Sequence, residues 1–181
     1  MKKDVNPSVI ILVLVVSSIG TIAAALDIAN YFSSFGQPSI ALLNSQGFSQ
    51  DYPSVLTNGT SINLLLSITL PNAISNQYAI AVYVSNASDF SHEAQAPIGK
   101  LVAIFGLPKA SNVSFPISIT IWYKVVHGQK MVYKIVVNGV SLNESIKIDY
   151  SLLGVFFQLV KVRGSGYTFT HEWVNLWLNV K

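Results

Sequence analysis

The stretch SNVSFPISITIWYKVV, Ser111 to Val126, alternates with a period of two. Val113, Phe115, Ile117, Ile119, Ile121, Tyr123 and Val125 fall on one side, Ser114, Ser118, Thr120 and Lys124 on the other. A helix repeats every 3.6 residues and would scatter that order around its circumference. The stretch therefore predicts a strand with one face on a core and one toward water. HGQ, His127 to Gln129, predicts a turn, and KMVYKIVV predicts the returning strand. Asn138-Gly139 is a two-residue hairpin signal, because Asn and Gly tolerate the positive φ that such turns require, and it leads into VSLNESIKIDY. Three antiparallel strands in a meander follow.

Upstream, SIALLNSQGFS, SINLLLSITL, QYAIAVYVS and GKLVAIFGL are strand candidates, separated by DYPSVLTNGT, PNAISN and NASDFSHEAQAPI, which are rich in turn formers. Downstream, SLLGVFFQLVKV and YTFTHEWVNLWLNV flank the turn RGSG. SLLGVFFQL also has the length and apolarity of a short buried helix. Eight or nine short strands with frequent turns predict a mainly β chain, an antiparallel two-layer sandwich spanning residues 39–181.

The N-terminus reads differently. No residue from Pro7 to Leu26 is charged, and a helix of that length, at about 1.5 Å per residue, spans about 30 Å, the thickness of bilayer hydrocarbon. Lys2 and Lys3 precede the run and no Lys or Arg follows until Lys100, which predicts a cytoplasmic N-terminus and an external C-terminal domain. The expected division is a cytoplasmic stretch 1–7, a transmembrane signal anchor 8–26, a juxtamembrane helix extension and linker 27–38, and the extracytoplasmic sandwich. Ala23, Ala24 and Ala25 leave a cleaved signal peptide as the competing reading, although the run exceeds a usual signal core. Gly20 and Ala24 have the small-xxx-small spacing through which membrane helices pack closely, which points to a second membrane subunit as partner.

Charged residues make up 10% of the chain and hydrophobic ones 51%. The domain surface must then be covered largely by Ser, Thr, Asn, Gln and Tyr, and a disordered stalk would have the opposite composition. The chain has no cysteine, so disulfides cannot hold it. Four acceptor sequons, at Asn58, Asn86, Asn112 and Asn143, are candidate glycosylation sites, each near a predicted turn or strand end.

An outer domain poor in charge, free of cysteine and rich in sequons, Ile, Val, Tyr, Ser and Asn resembles the cell-envelope proteins of thermoacidophilic archaea. An anchor followed by SINLLLSITLPNAISNQYAIAVYVSNAS is similar in arrangement to the water-stress and hypersensitive-response domain of the LEA proteins, with LPNAISN in place of that family's Asn-Pro-Asn turn. Those resemblances imply an immunoglobulin-like or LEA-type sandwich, and a binding or protective module without catalytic residues.

Little in the chain suggests chemistry. His92-Glu93 and His171-Glu172 are adjacent pairs, and with His127 they are the candidates for a metal. Neighbours on a strand point to opposite faces, so each pair offers one inward ligand at most. VRGSGY lacks the spacing of a nucleophile elbow, and no phosphate loop or dinucleotide fingerprint is present. No enzyme, cofactor or metal is expected, and no nucleic acid, since the basic residues are dispersed among apolar strands.

Between Asp4 and Gly99 the chain has no basic residue, whereas nine basic residues face three acidic ones from Lys100 to Lys181. Pairing between the halves, or a dipolar surface that orients the domain on a partner, would each explain that asymmetry. Trp173 and Trp177 lie four apart, on one face of a strand, either in the core or on an edge that joins a neighbour. The expectation is a single-pass membrane protein, N-terminus in the cytoplasm, whose outer module serves a membrane or envelope complex as an accessory subunit. The alternatives are a LEA-type lipid- or ligand-binding module, or a secreted or filament-forming subunit after N-terminal processing.

Overall fold

In the computed structural model, residues 37–71, 77–86 and 99–181 are described. Their elements are β1 (Ser39–Asn44), β2 (Val55–Leu56), β3 (Ser61–Thr69), β4 (Gln77–Asn86), β5 (Lys100–Gly106) and β6 (Asn112–Val126). β7 (Gln129–Val137), β8 (Val140–Leu142), β9 (Ile146–Lys147), β10 (Leu152–Arg163) and β11 (Gly166–Val180) follow. The anchor expected at 8–26, with Gly20 and Ala24, lies outside the described residues. Among the described residues no helix is long and apolar enough to cross a membrane.

Two sheets result. The first runs β1-β3-β6-β7-β8, with β9 also beside β7, and the second runs β2-β11-β10-β4-β5. Alternation makes one face of each sheet apolar. Leu42, Ile62, Leu64, Leu66, Ile68, Ile117, Ile119 and Ile121 of the first share a single buried cluster with Ile80, Val82, Val84, Leu153, Val155, Phe157 and Leu159 of the second. Each fully buried Leu, Ile or Phe contributes about 1.5–3 kcal/mol relative to exposure. With no disulfide in the chain, that cluster and the strand ladders hold the domain.

The meander forms as its turn residues require. His127 and Gly128 have φ of 49° and 78°, and Asn138 and Gly139 have 45° and 84°, so both turns place two residues in the left-handed region and follow the strand twist. Asn138 adds a clasp: its Oδ1 accepts the Ser118 N–H at 2.7 Å and its Nδ2 donates to the Pro116 carbonyl at 2.9 Å.

Several expectations need correction. The described residues form eleven strands, not eight or nine, and the sandwich is not wholly antiparallel: β2 pairs in parallel with β11, Val55 opposite Asn179 and Leu56 opposite Val180. That short pairing sits inside DYPSVLTNGT, where turn formers on both sides of two apolar residues conceal it. VSLNESIKIDY divides into β8 and β9, each pairing with β7, because Asn143-Glu144-Ser145 interrupts the ladder. SLLGVFFQL is extended, not helical. Val125 was expected on the buried face and is 63% exposed; β6 outruns β3, whose pairing stops at Thr120, and a register shift at Trp122/Tyr123 bends what remains.

If the shared cluster carries the stability, Phe157→Ala should lower the unfolding free energy by about 3–5 kcal/mol. Ser67→Ala, on the exposed face of β3, should change it by less than about 0.5 kcal/mol. Chemical denaturation of both variants measures this.

Candidate functional site

The second sheet departs from the usual solvated outer face. In β10 every residue from Leu153 to Val160 is buried. Leu153, Val155, Phe157 and Leu159 belong to the shared core, so Gly154, Phe156, Gln158 and Val160 project from the opposite side by the two-residue period. A strand buried on both faces reads as a continuous apolar run, and LLGVFFQLV is one.

The register identifies what surrounds these residues. Gly154 lies between Ser85 and Trp177, Phe156 between Tyr83 and Asn175, Gln158 between Ala81 and Trp173, and Val160 between Ala79 and Phe169. The Phe156 ring meets Trp173 at 5.8 Å and Trp177 at 5.7 Å between centroids, the latter edge-on. Ala79, Ala81 and Val160 form a separate buried cluster flanked by Tyr83, Ile104 and Val162. Trp173 and Trp177 therefore do share a face, and it is the outer face of the sheet.

Gly154 makes room for this cluster. A Cβ there would stand 2.7 Å from Phe156 Cε2 and 2.9 Å from Trp177 Cζ3, so the glycine lets the indole lie across the strand. Burial pushes the Tyr83 phenol above its usual pKa. Beside Trp173, Ile40, Leu42, Tyr52 and Val174 line an open groove of about 510 Å³.

Gln158 is the anomaly. It is 0% exposed, yet neither Oε1 nor Nε2 has a hydrogen-bond partner. Leaving such a group unsatisfied costs about 1–3 kcal/mol. The alternation in the first sheet does not hint at this glutamine; the only signal is one amide inside an otherwise apolar run.

The sequons occupy different environments. Asn58 is exposed in the turn before β3, its Oδ1 accepting the Tyr123 N–H at 2.9 Å. Asn112 is exposed at the start of β6 and accepts a bond from the Thr69 hydroxyl at 3.3 Å, and Asn143 is exposed between β8 and β9. Asn86 is buried: its Nδ2 donates to Asp149 Oδ2 at 2.7 Å and its Oδ1 accepts the Asp149 N–H at 3.0 Å.

Among the described residues no three His, Asp or Glu side chains converge to hold a metal. His127 sits in the β6–β7 turn and His171 in an irregular stretch of β11, while His92 and Glu93 lie outside the described residues. The ion pairs there, Lys100 with Glu144 and Lys147 with Asp149, both form within the C-terminal half, so neither joins the acidic half to the basic one.

Replacing Gln158 by Leu should raise stability by about 1–3 kcal/mol in denaturant titration, since it removes a desolvated amide while keeping an apolar side chain. Gly154→Ala should lower it by about 1–3 kcal/mol and shift the tryptophan emission, because the new methyl collides with Phe156 and Trp177.

No family model, no curated protein and no solved structure matches the chain.

Proposed function

We propose that the chain is a single-pass membrane protein whose outer domain is a structural and interaction module, an accessory subunit of a membrane or cell-envelope complex. The observation that carries this reading is β10 in the second sheet, which is buried on both faces from Leu153 to Val160. A free-standing antiparallel sheet usually solvates its outer side, as the first sheet does with Ser61, Asn63, Ser67 and Thr69. Half-buried Tyr83, Ile104, Trp173 and Trp177 on the second sheet offer the large apolar and aromatic side chains that protein partners use. The uncharged run before Asp27 supplies the anchor in this reading.

Extraction in mild detergent followed by identification of co-purifying proteins tests the proposal. Stable membrane companions are expected, and a monomer that purifies alone after carbonate-resistant membrane association would remove the accessory-subunit reading.

Glycans belong to the same reading, at Asn58, Asn112 and Asn143. Asn86 has spent its amide on Asp149 and is left out. Glycopeptide mass spectrometry should find modification at one or more of the three exposed asparagines and none at Asn86.

A further inference from the structure

The β5–β6 connection between the sheets near Ser39 is short. Ser39 pairs with Thr69 and Thr69 with Asn112 in the first sheet, while Gln77 pairs with Val162 in the second. Gly106 of β5 and Asn112 of β6 are separated by residues 107–111 alone, and Gly106 pairs with Ala79, which pairs with Val160. That link holds the start of β1 and the β10–β11 turn at one end of the domain. The β6–β7 turn, Val126 to Gln129, closes the opposite end of the first sheet.

The β10–β11 turn has an unusual surface. Every residue from Arg163 to Phe169 is exposed, with Tyr167 at 51% and Phe169 at 47%. Tyr167 pairs with Val162 and Phe169 with Val160, so both rings lie on one side of the hairpin. Lys161 and Arg163 alternate to the other side, and Lys109 sits in the link after β5. The ion pairs among the described residues involve Lys100 and Lys147, not these three cations.

A hairpin tip with exposed aromatic rings on one side and, among the described residues, Lys and Arg outside any ion pair on the other can be held at the water–lipid boundary, rings among the headgroups and cations on anionic phosphates. We infer that the β10–β11 turn, through Lys161, Arg163, Tyr167 and Phe169, rests on an anionic bilayer surface. The inference depends on the reading of the N-terminal run as a membrane anchor, because β1 begins at this same end. The bilayer thereby sets the orientation of the domain as well as its location.

The absence of cysteine makes the test direct. Ser165→Cys at this turn and Gln129→Cys at the opposite one are each labelled with an environment-sensitive fluorophore in the full chain. Each is then reconstituted into phosphatidylcholine/phosphatidylglycerol vesicles that carry a headgroup spin-label quencher. The label at 165 should be quenched at least twofold more than that at 129. The difference should shrink in pure phosphatidylcholine, in high salt, and in a Lys161→Gln/Arg163→Gln/Tyr167→Ser/Phe169→Ser variant whose near-ultraviolet circular dichroism matches the parent. Equal quenching at both positions in a chain that resists carbonate extraction overturns the inference alone. Preserved quenching at 165 in the fourfold variant overturns the assignment to these side chains, and unchanged quenching in phosphatidylcholine overturns the anionic preference. A chain stripped from vesicles by carbonate overturns the anchor reading, and the inference with it.

Discussion

Strand β10 has no polar face, and most of the second sheet follows from that constraint. Its odd-numbered side chains from Leu153 to Leu159 complete the core shared with the first sheet. Its even-numbered ones must find cover on the other side, and Trp173, Trp177 and Tyr83 from the neighbouring strands converge there. Removing water from both sides of one strand leaves little tolerance for a polar atom. Gln158 is therefore the position at which packing and hydrogen bonding conflict most sharply, and Gly154 the one at which ring volume is accommodated by omitting a side chain.

Electrostatics play a secondary part in the stability. Lys100 with Glu144 lies about half exposed, and Lys147 with Asp149 is separated by 3.5 Å; pairs of that kind contribute about 0–1 kcal/mol each. Polar side chains do more when they replace backbone partners. Asn86 satisfies both a carboxylate and a main-chain amide of Asp149, and Asn138 bridges its own turn to Ser118 and Pro116. A chain with few charges and no disulfide thus relies on neutral amides as local cross-links.

The mainly β character and most long strands were legible because period-two alternation is a local property. β3, with Ile62, Leu64, Leu66 and Ile68 facing inward, and the Asn138-Gly139 turn could be read from neighbouring residues alone. The parallel pairing of Val55–Leu56 with Asn179–Val180 could not, since its partner lies more than a hundred residues away and two apolar residues have no period. The outer surface was only half legible. The spacing of Trp173 and Trp177 correctly placed them on one side, but which side depends on how β10 presents Phe156, and a continuous apolar run carries no phase. The sequons illustrate the same limit: Asn86 and Asn112 match one pattern, yet tertiary contacts bury the first and expose the second.

The two tight turns that bound β7 also bear on how the domain assembles. β6, β7 and β8 are contiguous, so their pairing closes loops of only two residues and needs little chain ordering beforehand. β3 must find β6 across more than forty intervening positions, and β2 must find β11 across more than a hundred. The order of loop-closure entropies favours a folding nucleus in the β6–β8 meander, with the parallel strand docking last. A nascent domain would then hold a formed meander while β10, its greasiest strand, is still emerging, so Val132, Ile135 and Val137 already present an apolar face against which the core side of β10 can pack.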